Sequence, residues 1–514
     1  MSNHNEAHIA SGASQRNIVI LVVGTLFVLD VLLRPMMPRN ETRYLSVAWE
    51  MLTGNHWLVP FKNGVPYSDK PPLLFWLINL VWLPGVSEYA ARLVAPALSL
   101  IALWLTGRLA DRMRPGGEFG NAAIAVLGTM VPFYFIAGQT NFDGILMLAM
   151  VTCASALWRI GTAPQPHLLH WLGFGGALGF GIYAKGPVIF VHVMPLLLGM
   201  RWWAGPGRFS LTGMLAALLV AIALVALWLV PAYVTGDAVY REAILWTQSA
   251  GRVVNSFAHA RPIWYFLAIL PILLFPWVAL SGFWRTRSLD EAERFAWVWL
   301  VGPLILFSLI SGKQPAYLLP VMPAAALLLA NRWPERMGKP WIVAGVLGGL
   351  MITLLAVPGG ALGKSIADFL DLRTALLMVV PLALGIGAMM LRPRLVWLAV
   401  PAIGLALNIA YFAGPAGKIM SPVEIATILA SKDGKIGHAG PHYHGDFQFA
   451  GRLKAPLTVL PDAEAIAQFA KINPDGLIVG RLDDGPRPNW EPQNTVRYGE
   501  KGNWAVWNIE DLLQ

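Results

Sequence analysis

The sequence predicts an α-helical polytopic membrane protein that ends in a small α/β domain. Charged residues are scarce, because 38 Lys and Arg plus 29 Asp and Glu make only 13% of the 514 residues, where about 25% is usual for soluble domains. Hydrophobic residues reach 56%, with 22 Trp and 22 Phe. This is more apolar surface than a soluble core of this length can bury, so the composition excludes an ordinary soluble enzyme, a disordered chain and a collagen.

The charges are also unevenly distributed along the chain. Twelve of the 29 acids lie in the last hundred residues, which leaves 17 for the first 414. This asymmetry predicts a transmembrane domain, residues 1–414, followed by a soluble domain, residues 415–514. We attribute the net charge of +9 to Lys and Arg in cytoplasmic loops, and we expect no nucleic-acid partner.

Apolar stretches close to the roughly 20 residues that cross a bilayer recur along the transmembrane domain. We predict thirteen membrane-spanning helices from them. They cover residues 17–34, 89–109, 119–138, 142–159, 168–184, 186–200, 210–232, 263–283, 294–311, 316–331, 340–358, 373–391 and 395–413. The single cysteine, Cys153, lies in the fourth of them and is expected to be a packing residue.

The loop charges predict the orientation of the chain. The first apolar run lacks a small-residue cleavage site, so we expect an anchor rather than a cleaved signal peptide. A cytoplasmic N-terminus puts clusters of Arg and Lys inside, as the positive-inside rule requires. The odd number of spans then puts the first long loop, residues 35–88, and the soluble domain on the same outer face.

The soluble domain combines strand and helix signals. Short β-like runs occur at residues 457–460, 476–480 and 504–507, with a helical pattern at 463–472. These patterns predict a small α/β domain without a catalytic constellation. It contains three histidines near one aspartate, which we expect to be surface residues rather than a metal site. They are His438, His442, His444 and Asp446.

Nine cations on the predicted outer loops run against the positive-inside rule. They are Arg39, Arg43, Lys62, Lys70, Arg92, Arg241, Arg252, Arg261 and Lys313. In a protein with so few charges they indicate an anion-binding site on the outer face, for which phosphate is the obvious ligand. The alternative is that these side chains contact lipid headgroups.

The first outer loop carries the most informative segment. Residues 44–52 form an amphipathic stretch that predicts a helix along the membrane interface, with Glu41 at its electrostatically favourable N-terminal end. Lys70 precedes Pro71 and Pro72, which fix the chain direction and place the ammonium at the entrance of the next segment.

Several segments taken in order resemble the bacterial branch of the protein O-mannosyltransferase superfamily, which includes the lipid A aminoarabinose transferases. The resemblance covers essentially the whole chain, and it rests on the series of segments rather than on one motif. The segments are Arg39-Asn40-Glu41-Thr42-Arg43-Tyr44, Ser68-Asp69-Lys70-Pro71-Pro72, Gln139-Thr140-Asn141-Phe142-Asp143, Ala184-Lys185-Gly186-Pro187, His259-Ala260-Arg261-Pro262 and Gly312-Lys313-Gln314-Pro315-Ala316-Tyr317.

The resemblance implies a C-type glycosyltransferase (GT-C) fold in the bacterial inner membrane, with the soluble domain in the periplasm. Such enzymes take a sugar from a polyprenyl-phosphate donor and pass it to an acceptor on the outer side. Lipid A, a polysaccharide or a protein remain open as acceptors here. A carboxylate would accept the proton of the acceptor hydroxyl, while cations would stabilise the departing lipid phosphate.

The resemblance also implies roles for individual residues. Lys70 matches the phosphate-contacting lysine of the superfamily, with Arg261 and Tyr317 as helpers on downstream loops. Arg43 and Lys313 are further candidate substrate-binding cations.

The identity of the catalytic acid is open. The superfamily usually has Asp-Glu where this chain has Asn40-Glu41, and the first of these acids is the usual catalytic candidate. Because an amide is not a base, we predict Glu41 as the general base, with Asp143 at the second acidic position as the next candidate. Asn40 would then orient the acceptor. The alternative for Glu41 is a helix-capping or ion-paired acid, with Arg43 as its partner.

Three other signals carry less weight. Asp69 and His259 could share a divalent metal, as the resemblance permits, but two ligands do not complete a zinc site, and we expect no required cofactor. The glycine-rich run at residues 173–179 predicts close helix packing rather than a dinucleotide site, because it lies within a membrane span. Asp30, near the outer end of the first span, is either functional or turned towards the interface.

Two other functions compete with a transferase. A transporter or flippase of lipid-linked saccharides should show two related halves with broken helices and polar groups near the midplane, whereas the polar features here gather on one face. A catalytically inactive binding relative is the second rival, which the amide at Asn40 makes credible. For the soluble domain, three roles are open: covering the site, contacting the acceptor, or stabilising the membrane domain.

Overall fold

Helices dominate the structure. The computed structural model describes residues 2–165, 167–244, 260–280, 289–331, 340–432, 434–484, 491–500 and 502–512. The first helices are α1 Ser2–Leu33, α2 Glu41–Gly54, α3 Leu73–Val81, α4 Glu88–Met113, α5 Glu118–Gly128, α6 Val131–Phe135, α7 Phe142–Thr162, α8 Leu168–Lys185, α9 Val188–Leu198, α10 Met200–Trp203, α11 Leu211–Thr235 and α12 Ala238–Glu242. Further along are Tyr265–Leu273, Glu291–Leu309, Met322–Ala330, Trp341–Ala356, Lys364–Ala367, Leu372–Leu391, Ala399–Ala413 and Pro415–Met420, with 3-10 helices at Trp277–Ala279, Pro315–Val321 and Pro393–Leu398.

Among the described residues, seven helices are long and apolar enough to cross a membrane. Each coincides with a predicted span: Arg16–Leu33, Glu88–Met113, Phe142–Thr162, Leu211–Thr235, Glu291–Leu309, Leu372–Leu391 and Pro393–Ala413. Three shorter apolar helices fall on further predicted spans: Val188–Leu198, Pro315–Ala330 and Trp341–Ala356. The multi-helix class is therefore confirmed, while the count of thirteen stays a prediction.

Not every predicted span is one continuous helix. The predicted span 119–138 is divided into α5 and α6, because α5 ends at Gly128 and α6 begins with Pro132 in its first turn. Proline lacks the N–H that would continue the preceding helix. The predicted span 263–283 contains a helix of only nine residues, Tyr265–Leu273, followed by a 3-10 turn.

The surface of α11 shows how the helices meet a membrane. Leu215, Leu219, Ile222 and Leu227 are all exposed on this helix. Large exposed apolar surfaces mark contact with a membrane or a partner. We infer that α11 lies at the lipid-facing side of the bundle.

Glycine allows α8 and α11 to approach closely. A Cβ atom added at Gly175 would lie 2.3 Å from the backbone oxygen of Ala217 on α11. The predicted use of this glycine-rich run in helix packing is confirmed at Gly175, whereas Gly173 and Gly176 face open space.

Cys153 is fully buried on α7, as predicted for a packing residue.

The C-terminal region, residues 415–514, contains a five-stranded mixed sheet. Its strands are β3 Ile436–Ala439, β4 Thr458–Leu460, β5 Leu477–Arg481, β6 Asn494–Arg497 and β7 Asn503–Asn508. The order is β4-β3-β5-β7-β6, in which β3 runs parallel to β4 and β5, and β7 runs antiparallel to β5 and β6. The helices Val423–Ala430 and Ala463–Ile472 supply apolar side chains to the two separate cores of this sheet. The predicted α/β pattern is thus observed, and strands β3 and β6 were not predicted.

The first loop folds into α2, a short hairpin and α3. The hairpin pairs β1 Phe61–Lys62 with β2 Val65–Pro66. The helix predicted at residues 44–52 is present as α2, but nine of its fourteen residues are buried. The helix packs against α3, α4 and the C-terminal region. Its position along the membrane interface stays a prediction.

Candidate active site

Glu41 lies at the centre of a buried ionic network at the start of α2. Its side chain is 1% exposed and receives two hydrogen bonds from the Arg34 guanidinium, at 2.7 and 3.1 Å. The backbone N–H groups of Met37 and Thr140 also donate to it, at 3.0 and 3.1 Å. Nε of Arg92 lies 3.5 Å from Oε2. Glu41 therefore connects the end of α1, the start of α2, helix α4 and the loop before α7.

These contacts keep Glu41 ionised. Burial alone would raise the pKa of the carboxyl, but Arg34, Arg92 and the hydrogen bonds hold the pKa well below its usual range. A general base works best when its pKa is near the operating pH. The surroundings of Glu41 therefore favour the alternative of an ion-paired structural acid, with Arg34 and Arg92 as partners instead of the expected Arg43.

Asp143 occupies a different environment at the N-terminus of α7. Asn141 caps this helix, since its side chain accepts hydrogen bonds from the backbone N–H groups of Asp143 and Gly144. The Asp143 side chain is 11% exposed and is paired with Lys185, whose Nζ lies 2.5 Å from Oδ1. Lys185 is the last residue of α8, and its Nζ also lies 5.2 Å from the centre of the Tyr317 ring.

The structure thus brings three distant segments together around Asp143. The segment containing Lys185 was noted in the sequence only as part of a resemblance, and Lys185 itself was not predicted as a site residue. Its position at the end of a helix, directly before Gly186 and Pro187, was the available signal. That signal does not identify a partner, because Asp143 is 42 residues away in the chain.

Helix α2 reaches this cluster through aromatic packing. The ring of Tyr44 packs edge-on against Phe142, with centroids 5.0 Å apart. The guanidinium of Arg43 lies 5.1 Å from the Tyr44 ring centre. Burial disfavours a charge on Arg43, yet Tyr67, Tyr44 and Asp69 raise its pKa overall, so it remains a cation. Arg43 and Asp143 are therefore the chain neighbours of the two rings in this contact.

Asn40 lies directly before α2, as the exposed N-cap residue of this helix. It makes no side-chain capping hydrogen bond. Its position close to Arg43 and Tyr44 agrees with the predicted role of orienting an acceptor, which stays a prediction.

Lys70 and Asp69 lie where the first loop leads into α3. The Lys70 ammonium donates to the backbone oxygen of Asp69 at 3.0 Å, and both residues are half-buried. Within the described part of the chain, no group of three or more His, Cys, Asp or Glu side chains could hold a metal ion. His259, the predicted metal partner of Asp69, lies outside the described residues.

The Lys313 side chain contacts the backbone of Arg261. The N–H of Arg261 donates to the oxygen of Ser311 at 3.1 Å, and the Lys313 ammonium donates to the oxygen of Arg261 at 3.0 Å. The ammonium also donates to the oxygen of Ile310 at 2.5 Å. Lys313 is 4% exposed, whereas Arg261 is exposed. Lys313 therefore holds the loop that presents Arg261. Its expected contact with the substrate stays a prediction.

Asp30 and His438, two residues singled out in the sequence, both have contacts within the fold. Asp30 pairs with Arg34 at 3.0 Å and so extends the network of Glu41. His438 is buried on β3 against Tyr443 and Trp504, so the expectation that it is a surface residue is wrong.

Sequence comparisons identify proteins that this chain resembles. The family described as dolichyl-phosphate-mannose-protein mannosyltransferase matches residues 69–233. An undecaprenyl phosphate-alpha-4-amino-4-deoxy-L-arabinose arabinosyl transferase of Edwardsiella ictaluri is 30% identical over 353 residues, which are 63% of this chain and 62% of that protein. A transferase of the same description from Pseudomonas fluorescens is 28% identical over 423 residues, 76% of this chain and 72% of that protein. The matched region thus spans less than two thirds of the first of these relatives.

Solved structures match over nearly the whole chain. The structure of ArnT from Cupriavidus metallidurans in the apo state has a TM-score of 0.76 at 20% identity, with 96% of this chain and 98% of that chain covered. The same protein bound to undecaprenyl phosphate gives a TM-score of 0.73 at 19% identity, with 95% and 97% covered. At this identity the similarity shows the fold, which is the GT-C fold expected from the sequence. The predicted resemblance is confirmed by both kinds of comparison.

Proposed function

We propose that this chain is a polyprenyl-phosphate-dependent glycosyltransferase. In sequence and fold it resembles the GT-C membrane glycosyltransferases, which include the protein O-mannosyltransferases and the aminoarabinose transferases. An acceptor hydroxyl attacks the anomeric carbon of the donor sugar. The bond between that carbon and the phosphate oxygen breaks, and the phosphate keeps the electron pair. The products are the glycosylated acceptor and the polyprenyl phosphate.

The pairing of Asp143 with Lys185 beside Tyr317 carries this proposal. It combines an acid, a cation and an aromatic ring at the end of the bundle where the first loop and the C-terminal region also lie. Such a cluster can accept a proton and stabilise a phosphate within one site. The names of the curated relatives support the same donor class.

We propose Asp143 as the general base rather than Glu41. Within the described part of the chain, one oxygen of the Asp143 carboxylate is paired, with Lys185, and the side chain is 11% exposed, so an acceptor hydroxyl can approach it. Glu41 is closed off by two arginines and two backbone N–H groups. Glu41 then fixes the loop before α7, through the Thr140 N–H, and so positions Asp143.

Cations of the first loop and of the loop at residue 261 would receive the donor phosphate. Lys70, Arg261 and Arg43 are the residues proposed for this role, with Tyr317 as a hydrogen-bonding helper. A positively charged cluster stabilises the charge that develops on a departing phosphate. Lys313 supports this group indirectly, by holding the backbone of Arg261.

The orientation and the acceptor belong to the same proposal. The N-terminus would be cytoplasmic and the C-terminal region periplasmic, so that transfer takes place on the outer face of the bacterial inner membrane. A lipid or glycan acceptor fits that location, with lipid A, a polysaccharide and a protein as the candidates.

The test is a transfer assay with purified protein in lipid nanodiscs. The donor panel contains undecaprenyl phosphate carrying 4-amino-4-deoxy-L-arabinose or a neutral hexose, and the acceptor is an extract of outer-membrane lipids and glycans. Asp143→Asn is expected to lower the transfer rate by about 100-fold or more, with binding of undecaprenyl phosphate retained. Asp371→Asn, at the N-cap of the helix Leu372–Leu391, is the matched control and should keep the wild-type rate.

Other outcomes would favour the rivals. Binding of undecaprenyl phosphate without transfer from any donor would indicate an inactive binding relative. Movement of the intact donor between the leaflets of a vesicle, without transfer, would indicate a flippase. Wild-type transfer by Asp143→Asn would remove Asp143 as the base.

A further inference from the structure

The start of α2 is held from the C-terminal region. Asp446 is 5% exposed, and its Oδ1 accepts hydrogen bonds from the backbone N–H of Arg39 at 3.1 Å and from the Thr42 hydroxyl at 3.2 Å. These two donors lie on either side of Asn40-Glu41. The hydroxyl of Tyr498, also in the C-terminal region, donates to the same oxygen at 3.2 Å.

The backbone at this point needs such support. Arg39 has a φ of 64°, in the left-handed region that a residue with a Cβ adopts at a cost of roughly 1–2 kcal/mol. The N-cap residue Asn40 makes no side-chain capping bond to the helix. A carboxylate near a helix N-terminus is favoured by the helix dipole. Asp446 therefore supplies, from about 400 residues away in the chain, stabilisation that the local sequence lacks.

The contact continues along one face of α2. Ser46 donates to the oxygen of Gly445 at 2.7 Å, and the indole N–H of Trp49 donates to the oxygen of Leu453 at 2.9 Å. Thr42, Ser46 and Trp49 are spaced i, i+4 and i+7, so they form one helix face. This face rests on the segment at residues 445–453.

The opposite face of α2 points to the candidate active site. Tyr44 lies two positions, or about 200°, from Thr42 around the helix, and it packs against Phe142 next to Asp143. A helix fixed on one side by the C-terminal region thus presents Asn40, Arg43 and Tyr44 on the side of Asp143.

We propose that Asp446 is a positioning residue for the transfer reaction, acting through the start of α2. Its hydrogen bonds to Arg39 and Thr42 set the place of Asn40 and Arg43 relative to Asp143. This inference rests on the proposed function for its kinetic consequence, but its structural consequence can be measured without any activity. It assigns to the C-terminal region a role in catalysis rather than in stability alone.

The experiment compares Asp446→Ala with Asp446→Asn and with a matched control. Asp446→Asn keeps an oxygen that can accept both hydrogen bonds. The control is Asp462→Ala, which removes an exposed N-cap in the same region, where Asp462 accepts from the N–H of Ala465. Both alanine variants lose a helix-terminal carboxylate, but only Asp446→Ala loses the contact with α2.

Two readouts are expected to separate positioning from stability. Hydrogen–deuterium exchange at residues 39–44 should accelerate by about tenfold or more in Asp446→Ala and stay at the wild-type rate in Asp462→Ala. The kcat should fall by about tenfold to 100-fold in Asp446→Ala, as expected for a misplaced site, while the KM for the donor changes less than kcat. Asp446→Asn should recover most of both effects.

Two results would overturn the role proposed for Asp446. Wild-type exchange at residues 39–44 in Asp446→Ala would overturn the proposal, as would equal losses of kcat in Asp446→Ala and Asp462→Ala. If Asp446→Ala does not fold, Thr42→Val removes one donor with little change in volume and should show the same faster exchange. If the wild-type protein transfers no sugar, the proposed function fails, and the exchange measurement alone then decides whether Asp446 positions α2.

Discussion

Glu41 and Asp143 show how surroundings assign different tasks to two similar side chains. Both are acids in the first turn of a helix. Glu41 is enclosed by Arg34, Arg92 and backbone N–H groups, while Asp143, among the residues that the structure describes, pairs with Lys185 and has a side chain that is 11% exposed. The sequence ranked Glu41 first, because only its position in the motif was visible. Its partners come from three other segments, which no local pattern identifies.

Glu41→Gln is expected to destabilise the protein. Arg34 and Arg92 would lose the buried carboxylate that they share and would keep the more exposed Asp30 and Glu88 as counter-charges. Removing one partner of a buried pair typically costs about 3–5 kcal/mol. The measurement is the melting temperature in detergent. Glu88→Gln is the matched control, because Glu88 also pairs with Arg92 but its side chain is 27% exposed, and we expect a loss of at most about 1 kcal/mol there.

The pH dependence of this loss distinguishes a structural acid from a base. Because folding lowers the pKa of Glu41, its stabilising contribution is complete above the ordinary carboxyl pKa of about 4.3 and is lost as the pH falls below it. The difference in melting temperature between wild type and Glu41→Gln should therefore be constant between about pH 6 and 8. A difference that shrinks from pH 8 to pH 6 would indicate a carboxyl that titrates near neutrality, as a general base does.

Packing between helices determines which glycines of α8 contact a neighbouring helix. The run at residues 173–179 contains four glycines that look equivalent in the sequence. Only the structure shows that Gly175 touches Ala217, while Gly176 faces open space. The hydrophobic periodicity predicts that α8 exists, but the rotation of α8 about its axis depends on its neighbour α11.

Gly175→Ala is therefore expected to separate α8 from α11. The added Cβ would meet the backbone of Ala217, which cannot move without shifting α11, and overpacking of this kind costs about 1–3 kcal/mol. Gly176→Ala adds the same methyl group into open space and should leave stability unchanged or slightly raised. Melting temperatures of the two variants test this, and equal values would contradict the packing seen at Gly175.

The arrangement of the whole molecule agrees with a single functional face. The first loop and the C-terminal region are about 400 residues apart in the chain, yet they share hydrogen bonds through Asn63, Ser46 and Trp49. The sequence predicted that both lie on the same side of the membrane, because an odd number of spans separates the N-terminus from the C-terminal region. Their contact supports that prediction.

Single-cysteine labelling can determine the orientation. Cys153 is fully buried, so the wild-type protein should remain unlabelled by a membrane-impermeant maleimide. Glu464→Cys, on an exposed helix position of the C-terminal region, should be labelled in intact spheroplasts. Arg201→Cys, in α10, should be labelled only after permeabilisation. The reverse pattern would place the C-terminal region in the cytoplasm.

The sequence by itself determined the membrane class, the positions of seven helices that are long and apolar enough to cross a membrane, the α/β character of the C-terminal region and the resemblance to the superfamily. These features depend on composition, periodicity and motifs, which are local properties of the chain. The tertiary structure alone decided that Glu41 pairs with Arg34 and Arg92, that Lys185 meets Asp143, and that Asp446 holds the start of α2. The physical reason is that ion pairs and hydrogen bonds act over a few ångströms, and only the tertiary packing brings residues from different elements, up to about 400 positions apart, within that range.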